Sequence, residues 1–170
     1  MLIAVTGSKG AGKSTLLKNI ADLYIAQGLA VSGVITERAN QSDYNVFFPA
    51  DKSSIPLATE GRKEEDSTHF NYRIFHFDKG AFKKGNEVIA CALSGDCHLF
   101  IDEIGTLELE EEGGFSLHLA RAALHDRLIL GIRKDSFNKI CDKWQFKPDL
   151  IIDLDELSPL RGYDMIKGLL

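Results

Sequence analysis

Residues 7–14 read Gly7-Ser8-Lys9-Gly10-Ala11-Gly12-Lys13-Ser14 and fit the pattern G-x-x-x-x-G-K-[ST] at every fixed position. No other segment constrains the fold as strongly. A short apolar run, residues 2–6, precedes it and reads as a buried strand. Residues 14–27 follow with Leu16, Leu17, Ile20, Leu23 and Tyr24 at helical spacing, and Gly28 is a stop signal. Glycines let the backbone curl so that successive N–H groups converge on an anion. The helix behind them adds unpaired N–H groups and the positive end of its dipole. Gly7, Ser8, Lys9, Gly10, Ala11, Gly12, Lys13, Ser14 and Thr15 are therefore candidate nucleotide-binding residues. Lys13 can place its ammonium on the β- and γ-phosphates, and the Ser14 hydroxyl can ligate Mg²⁺. Thr15 neighbours the α-phosphate position. Lys9 lies in the variable part of the loop and reads as a solvated lysine within reach of the γ-phosphate.

The rest of the chain alternates. Strands are expected at 30–36, 44–49, 54–59, 72–77, 97–101, 127–132 and 149–152. Helices are expected at 79–93 (interrupted by Gly80 and Gly85), 115–124, 136–144 and 163–170, with a solvated, charged loop at 62–67. Strands that alternate with helices predict an α/β fold: a mostly parallel sheet covered on both faces, three layers in all. Residues 30–60 depart from this rhythm and predict a β-hairpin insertion. The 170 residues contain no internal repeat or long linker, so one domain spanning 1–170 is expected.

A phosphate loop that works with Mg²⁺ needs a carboxylate at the end of a neighbouring strand. His98-Leu99-Phe100-Ile101-Asp102-Glu103 supplies two. Asp102 is the candidate to hold Mg²⁺ through its water shell. Glu103 is the candidate to orient and deprotonate an attacking water. Such a pair favours a hydrolase over a kinase, with Lys13, Asp102 and Glu103 as the catalytic set. Ile132-Arg133-Lys134-Asp135 is not the N-K-x-D of a guanine-specific GTPase. Leu93-Ser94-Gly95-Asp96 lies too near the acidic strand to begin a transporter-type signature helix.

These residues resemble a known family. The phosphate loop, Gly33-Val34-Ile35-Thr36-Glu37-Arg38 and Ile101-Asp102-Glu103-Ile104-Gly105-Thr106-Leu107-Glu108-Leu109 together look like the THEP1-type nucleoside-triphosphatases. There the second strand carries a G-F-x-T-E-type segment followed by arginine, and the acidic strand continues as D-E-I-G-x-M-E-L. Leu107 replaces the usual methionine, a volume-conserving swap. Residues 125–135 and 147–159 resemble the family's last two strands. The resemblance implies a RecA-like P-loop fold and Mg²⁺-dependent hydrolysis of nucleoside triphosphates (ATP, GTP and others) with loose base preference. It implies that Gly10, Gly12, Lys13, Ser14 and Thr15 bind phosphate and metal, and that Asp102 and Glu103 serve metal and water. It also implies that Arg133 stands near the nucleotide. The chain departs from the family after Arg38, where a further arginine and Gly-Phe are usual, and residues 40–70 match poorly. The first thirty residues also resemble accessory GTP-binding proteins of molybdopterin-dinucleotide synthesis, which fit the acidic strand less well.

Twenty-five acidic against 20 basic residues give a net charge of −5, which argues against a generic nucleic-acid groove. No apolar run approaches the ~20 residues that cross a bilayer, and the N-terminus lacks the basic region of a signal peptide. Cys91, Cys97 and Cys141 show no C-x-x-C spacing and read as reduced thiols in a cytoplasm. The five histidines show no metal spacing. Glu108, Glu110, Glu111 and Glu112 read as a solvated acidic loop, with Glu108 a candidate brace for the Asp102–Glu103 loop. Trp144 and Phe137 read as core packing ahead of base stacking. Arg38 is a weaker phosphate candidate than Arg133. The absence of a convincing arginine finger predicts slow intrinsic turnover. Two other readings stay open: a small-molecule kinase, and a nucleotide-gated scaffold that uses residues 36–68 against a protein partner.

Overall fold

The computed structural model describes residues 1–111 and 113–170; Glu112, one of the acids in the run above, lies outside them. In chain order the elements are β1 (Leu2–Gly7), α1 (Lys13–Ala26), β2 (Val31–Arg38), β3 (Asp43–Phe48), β4 (Ser53–Glu60), β5 (His69–Tyr72), β6 (Phe75–Asp78), α2 (Lys79–Ala92), β7 (His98–Ile104), α3 (Thr106–Glu110), α4 (Leu119–Ala122), β8 (Leu128–Arg133), α5 (Phe137–Trp144), β9 (Leu150–Asp153) and α6 (Pro159–Lys167). The strands form one sheet in the order β5-β6-β4-β3-β2-β7-β8-β1-β9. From β2 to β9 every pair is parallel. Beyond β2 every pair is antiparallel.

Alternation along β1 explains the layers. Ile3 and Val5 face α1 and α6, where Leu16, Leu17, Ile20, Tyr24 and Ile166 bury against Phe100, Ile129 and Ile152. Leu2 and Ala4 face the other way, into a core with Leu99, Ile101, Leu128, Leu130, Ile89 of α2, Leu119 of α4 and Ile140 of α5. This is the α/β sandwich with a parallel core that the alternation predicts.

The insertion is larger than the sequence suggests. Residues 72–77 are not one strand but the turn of a second hairpin, β5–β6. Arg73 adopts a φ of 54°, and His69–Tyr72 pairs back on Phe75–Asp78. The four strands β3, β4, β5 and β6 extend the sheet from one edge. Three helices also differ from expectation. Residues 115–124 split into a 3₁₀ turn, Ser116–His118, and the short α4, with Phe115 buried ahead of them. The acidic run begins inside α3 instead of lying wholly in a loop. The last helix begins at Pro159 instead of 163, because Ser158 accepts the Arg161 N–H as an N-cap and Pro159 suits the first turn.

Candidate functional site

The C-terminal ends of the parallel strands meet at one edge, where open α/β sheets bind ligands. Gly7 at the end of β1 pairs with Arg133 at the end of β8, so the phosphate loop and Arg133 are neighbours by register. In the loop, Gly7, Gly10 and Gly12 have φ of 146°, 84° and 96°, values that L side chains rarely adopt. Gly12 caps α1 without any side-chain hydrogen bond, and the first turn of α1 holds no acidic residue. The N–H groups and the positive dipole end are thus left for an external anion.

Lys13 is buried, unusually for lysine, and donates from Nζ to the carbonyls of Gly7 and Ser8, both at 3.0 Å. Its ammonium is therefore folded back over its own loop. Ser8 is braced from a distant segment. Its N–H and Oγ both donate to Asp155 Oδ1, at 3.0 and 2.7 Å. These bonds, with Lys134 at 3.3 Å, hold the Asp155 carboxyl down to about 2. Lys9 is exposed, as the sequence suggests. Its Nζ lies 3.7 Å from Glu60 on β4 and 5.8 Å from the ring centre of Phe75 on β6, so it links the phosphate loop to the inserted strands. Ser14 is partly exposed and Thr15 exposed at the start of α1.

Asp102 and Glu103 sit at the end of β7 in opposite environments. Asp102 is fully buried. Its Oδ2 accepts the Thr36 N–H of β2 at 3.2 Å, while Oδ1 has no hydrogen-bond partner. Room for that oxygen comes from Gly131 on β8, where a Cβ would lie 2.0 Å from Oδ1. Burial, then the negative charge of Glu103, pushes the Asp102 carboxyl up to about 7, and the nearby Ser14 hydroxyl opposes the rise. A desolvated carboxylate oxygen with a free lone pair beside a serine hydroxyl is a fit for a divalent cation. Glu103 is exposed, with a φ of 55° where β7 shifts register against β8. Such strain in a non-glycine residue costs about 1–3 kcal/mol and clusters at functional sites. Glu103 lines the same cleft as Lys9, Lys13 and Arg133.

Glu108 is the brace of this strand end. It is buried, and its carboxylate accepts the N–H groups of Gly105 at 2.9 Å and Phe115 at 3.3 Å. Burial nevertheless raises its carboxyl to about 7 from an ordinary 4.5. The folded chain then binds more protons than the unfolded chain between those values, so stability falls as pH rises from 4.5 to 7 and levels off above. Chemical denaturation at pH 5 and pH 8 is expected to show Glu108→Gln losing part of this pH dependence, on the order of 2–3 kcal/mol. An unchanged slope in the variant would assign the pH dependence to other groups.

Arg133 lies at the cleft with Nη2 3.3 Å from Asp135. Arg38 is committed elsewhere, donating to the carbonyls of Asn40 and Gln41 in its own turn. Trp144 and Phe137 pack against the core, as expected. Sequence reasoning missed Thr36, Gly131, Asp155 and the aromatic side of the cleft, which includes Tyr44, Tyr72, Phe75 and Phe77. Gly131 carried a readable signal, since an isolated glycine in a strand marks close approach. Asp155 carried none, because its partner is 147 residues away.

Comparison with known proteins bears on the family and the fold. The model of a family described as NTPase matches residues 2–152. Among solved structures, the chain is similar to THEP1 from the hyperthermophile Aquifex aeolicus, with a TM-score of 0.70 and 19% identity, over 100% of this chain and 97% of that one. At that identity the likeness speaks for the fold. No curated protein matches. No helix among the described residues is long and apolar enough to cross a membrane.

Proposed function

As a member of the NTPase family the chain is a nucleoside triphosphatase, and we propose that it hydrolyses ATP, GTP and other nucleoside triphosphates to the diphosphate and phosphate, with Mg²⁺ and little base preference. The carrying observation is the division of labour at the end of β7. Asp102 is buried with a free oxygen, and Glu103 is turned into the cleft that Lys13 and Arg133 share.

In this reading the loop amides and the start of α1 bind the triphosphate. Lys13 leaves the Gly7 and Ser8 carbonyls for the β- and γ-phosphates, a charge-assisted exchange. Asp155 fixes Ser8 and so holds the outer half of the loop in place. Ser14 and Asp102 would hold Mg²⁺, which neutralises phosphate charge when bound. Among the described residues no group of three or more His, Cys, Asp or Glu could cage a metal alone. Water and phosphate oxygens would complete the shell, as Mg²⁺ sites usually require. Glu103 takes a proton from the attacking water. Arg133 offsets charge on the γ-phosphoryl as the bond to the diphosphate breaks.

Phosphate release from ATP, GTP, CTP and UTP, with and without Mg²⁺, tests the proposal. All four are expected to be hydrolysed at similar rates, and chelation to stop each reaction. Lys13→Ala is expected to lower every rate by about 10²–10³-fold, the usual loss when a preorganised charge donor is removed. Turnover unaffected by Lys13→Ala or by chelation would refute this mechanism.

A further inference from the structure

Resting on that hydrolytic reading, we propose that the cleft also binds a one-ring alcohol or phenol whose hydroxyl accepts the γ-phosphoryl group in place of water. The cleft has two ends of different chemistry. Lys9, Lys13, Glu103 and Arg133 form the polar end. Across the cleft from Lys13, Glu103 and Arg133, the inserted strands and α2 present rings in sequence, and Lys9 borders them at Phe75. Tyr44 meets Phe75 at 5.5 Å, Phe75 meets Phe77 at 5.7 Å, and Phe77 meets Phe82 at 5.5 Å between centres. Tyr44, Phe75 and Phe77 are only half-buried although they pack together, so this wall is not sealed core. The Tyr44 hydroxyl is engaged by Glu60 at 2.8 Å, Arg38 lies 5.6 Å from the Tyr44 ring centre and Lys9 5.8 Å from that of Phe75, so the wall offers ring surface bordered by cations.

An aromatic wall beside a general base can exclude bulk water, and it is also the surface an apolar acceptor would pack against. In the hydrolytic reading the nucleobase is kept away from this wall, because it is joined to the opposite end of the triphosphate from the γ-phosphoryl assigned to Glu103. The whole cleft, polar end included, has a volume of about 150 Å³, which limits an occupant of its aromatic side to one small ring. An apolar ring with one hydroxyl directed at Glu103 satisfies both ends.

The chemistry balances without a further reactant. The acceptor O–H gives its proton to the Glu103 carboxylate. Its oxygen forms a bond to the γ-phosphorus. The bond from that phosphorus to the bridging β-phosphate oxygen breaks, and the nucleoside diphosphate leaves with the electron pair. The products are a phosphate monoester and a diphosphate.

The test uses the full chain with ATP, Mg²⁺ and either benzyl alcohol or 4-methylphenol, following ³¹P signals and ADP. A phosphate ester is expected that saturates with alcohol, and inorganic phosphate should fall in step. Ala58→Leu, which fills the cleft from β4, is expected to lower ester yield per ADP about tenfold. Phe75→Ala is expected to shift preference toward 2-naphthylmethanol by a similar factor. ADP formed at the same rate, with no ester and no saturable effect of any of the alcohols, would overturn the acceptor site and leave the hydrolase reading standing. ADP formed only when alcohol is present would overturn the hydrolase reading and keep the acceptor site. No ADP under either condition would overturn both.

Discussion

Glu103→Gln is expected to bind nucleotide as the wild type does while phosphate release slows about 10²–10⁴-fold, the usual contribution of a positioned general base. Glutamine keeps the size and hydrogen-bonding reach of glutamate but cannot take a proton from water. The groups assigned to the triphosphate, from the loop amides to Lys13 and Ser14, are untouched by the change. Equilibrium titration with a fluorescent nucleotide and single-turnover phosphate release separate the two effects. The backbone supplies a second readout. At φ 55° a glutamate is strained, and asparagine tolerates that region better. Glu103→Asn is therefore expected to be at least as stable as wild type in denaturation while hydrolysing poorly. That combination marks a residue retained for chemistry at a cost in stability. Wild-type hydrolysis by Glu103→Gln would remove Glu103 as the base.

Gly33→Ala is expected to lose more than about 4 kcal/mol, a large share of the 5–15 kcal/mol that holds an ordinary domain folded. Gly33 lies on β2 opposite Phe100 of β7, and a Cβ there would sit 1.9 Å from the Phe100 carbonyl oxygen. The collision is with backbone, so no rotamer change relieves it, and the φ of 117° disfavours alanine independently. The site suffers with the fold. Thr36, three residues on, donates the hydrogen bond that holds Asp102 across the same pair of strands. Parting β2 from β7 would free the Asp102 side chain to move. Gly28→Ala is the control. Nothing lies within 4 Å of its Cβ position, and only the φ of 76° is adverse, so about 1–2 kcal/mol is expected. Urea denaturation that found the two variants equally stable would refute the close-approach argument.

The legible parts of this protein share one property: they are local. The spacing of Gly7, Gly10, Gly12 and Lys13 determines a strand that turns into a helix around an anion, all within one short stretch of chain. The acids that end the apolar run at Asp102 and Glu103 follow the same logic. The hairpin β5–β6 was not legible, because Arg73 has no turn preference and takes its left-handed conformation from the pairing of His69 with Asp78. Nor was α3: Glu108 reads as a brace, but the helix around it forms only where the Gly105 and Phe115 N–H groups close on its carboxylate.

The sequence by itself determined that a phosphate loop and an acidic strand occur in one α/β chain, because each rests on residues a few positions apart. Only the tertiary structure decided how they work together. Strand order places β7 and β8 between β2 and β1, which sets Asp102 between the Thr36 N–H and the space above Gly131. The register shift at the end of β7 turns Glu103 into the cleft. The four antiparallel strands carry Tyr44, Phe75 and Phe77 to the far side of it. Each of these contacts joins residues far apart in the chain, and sheet register alone fixes their distances.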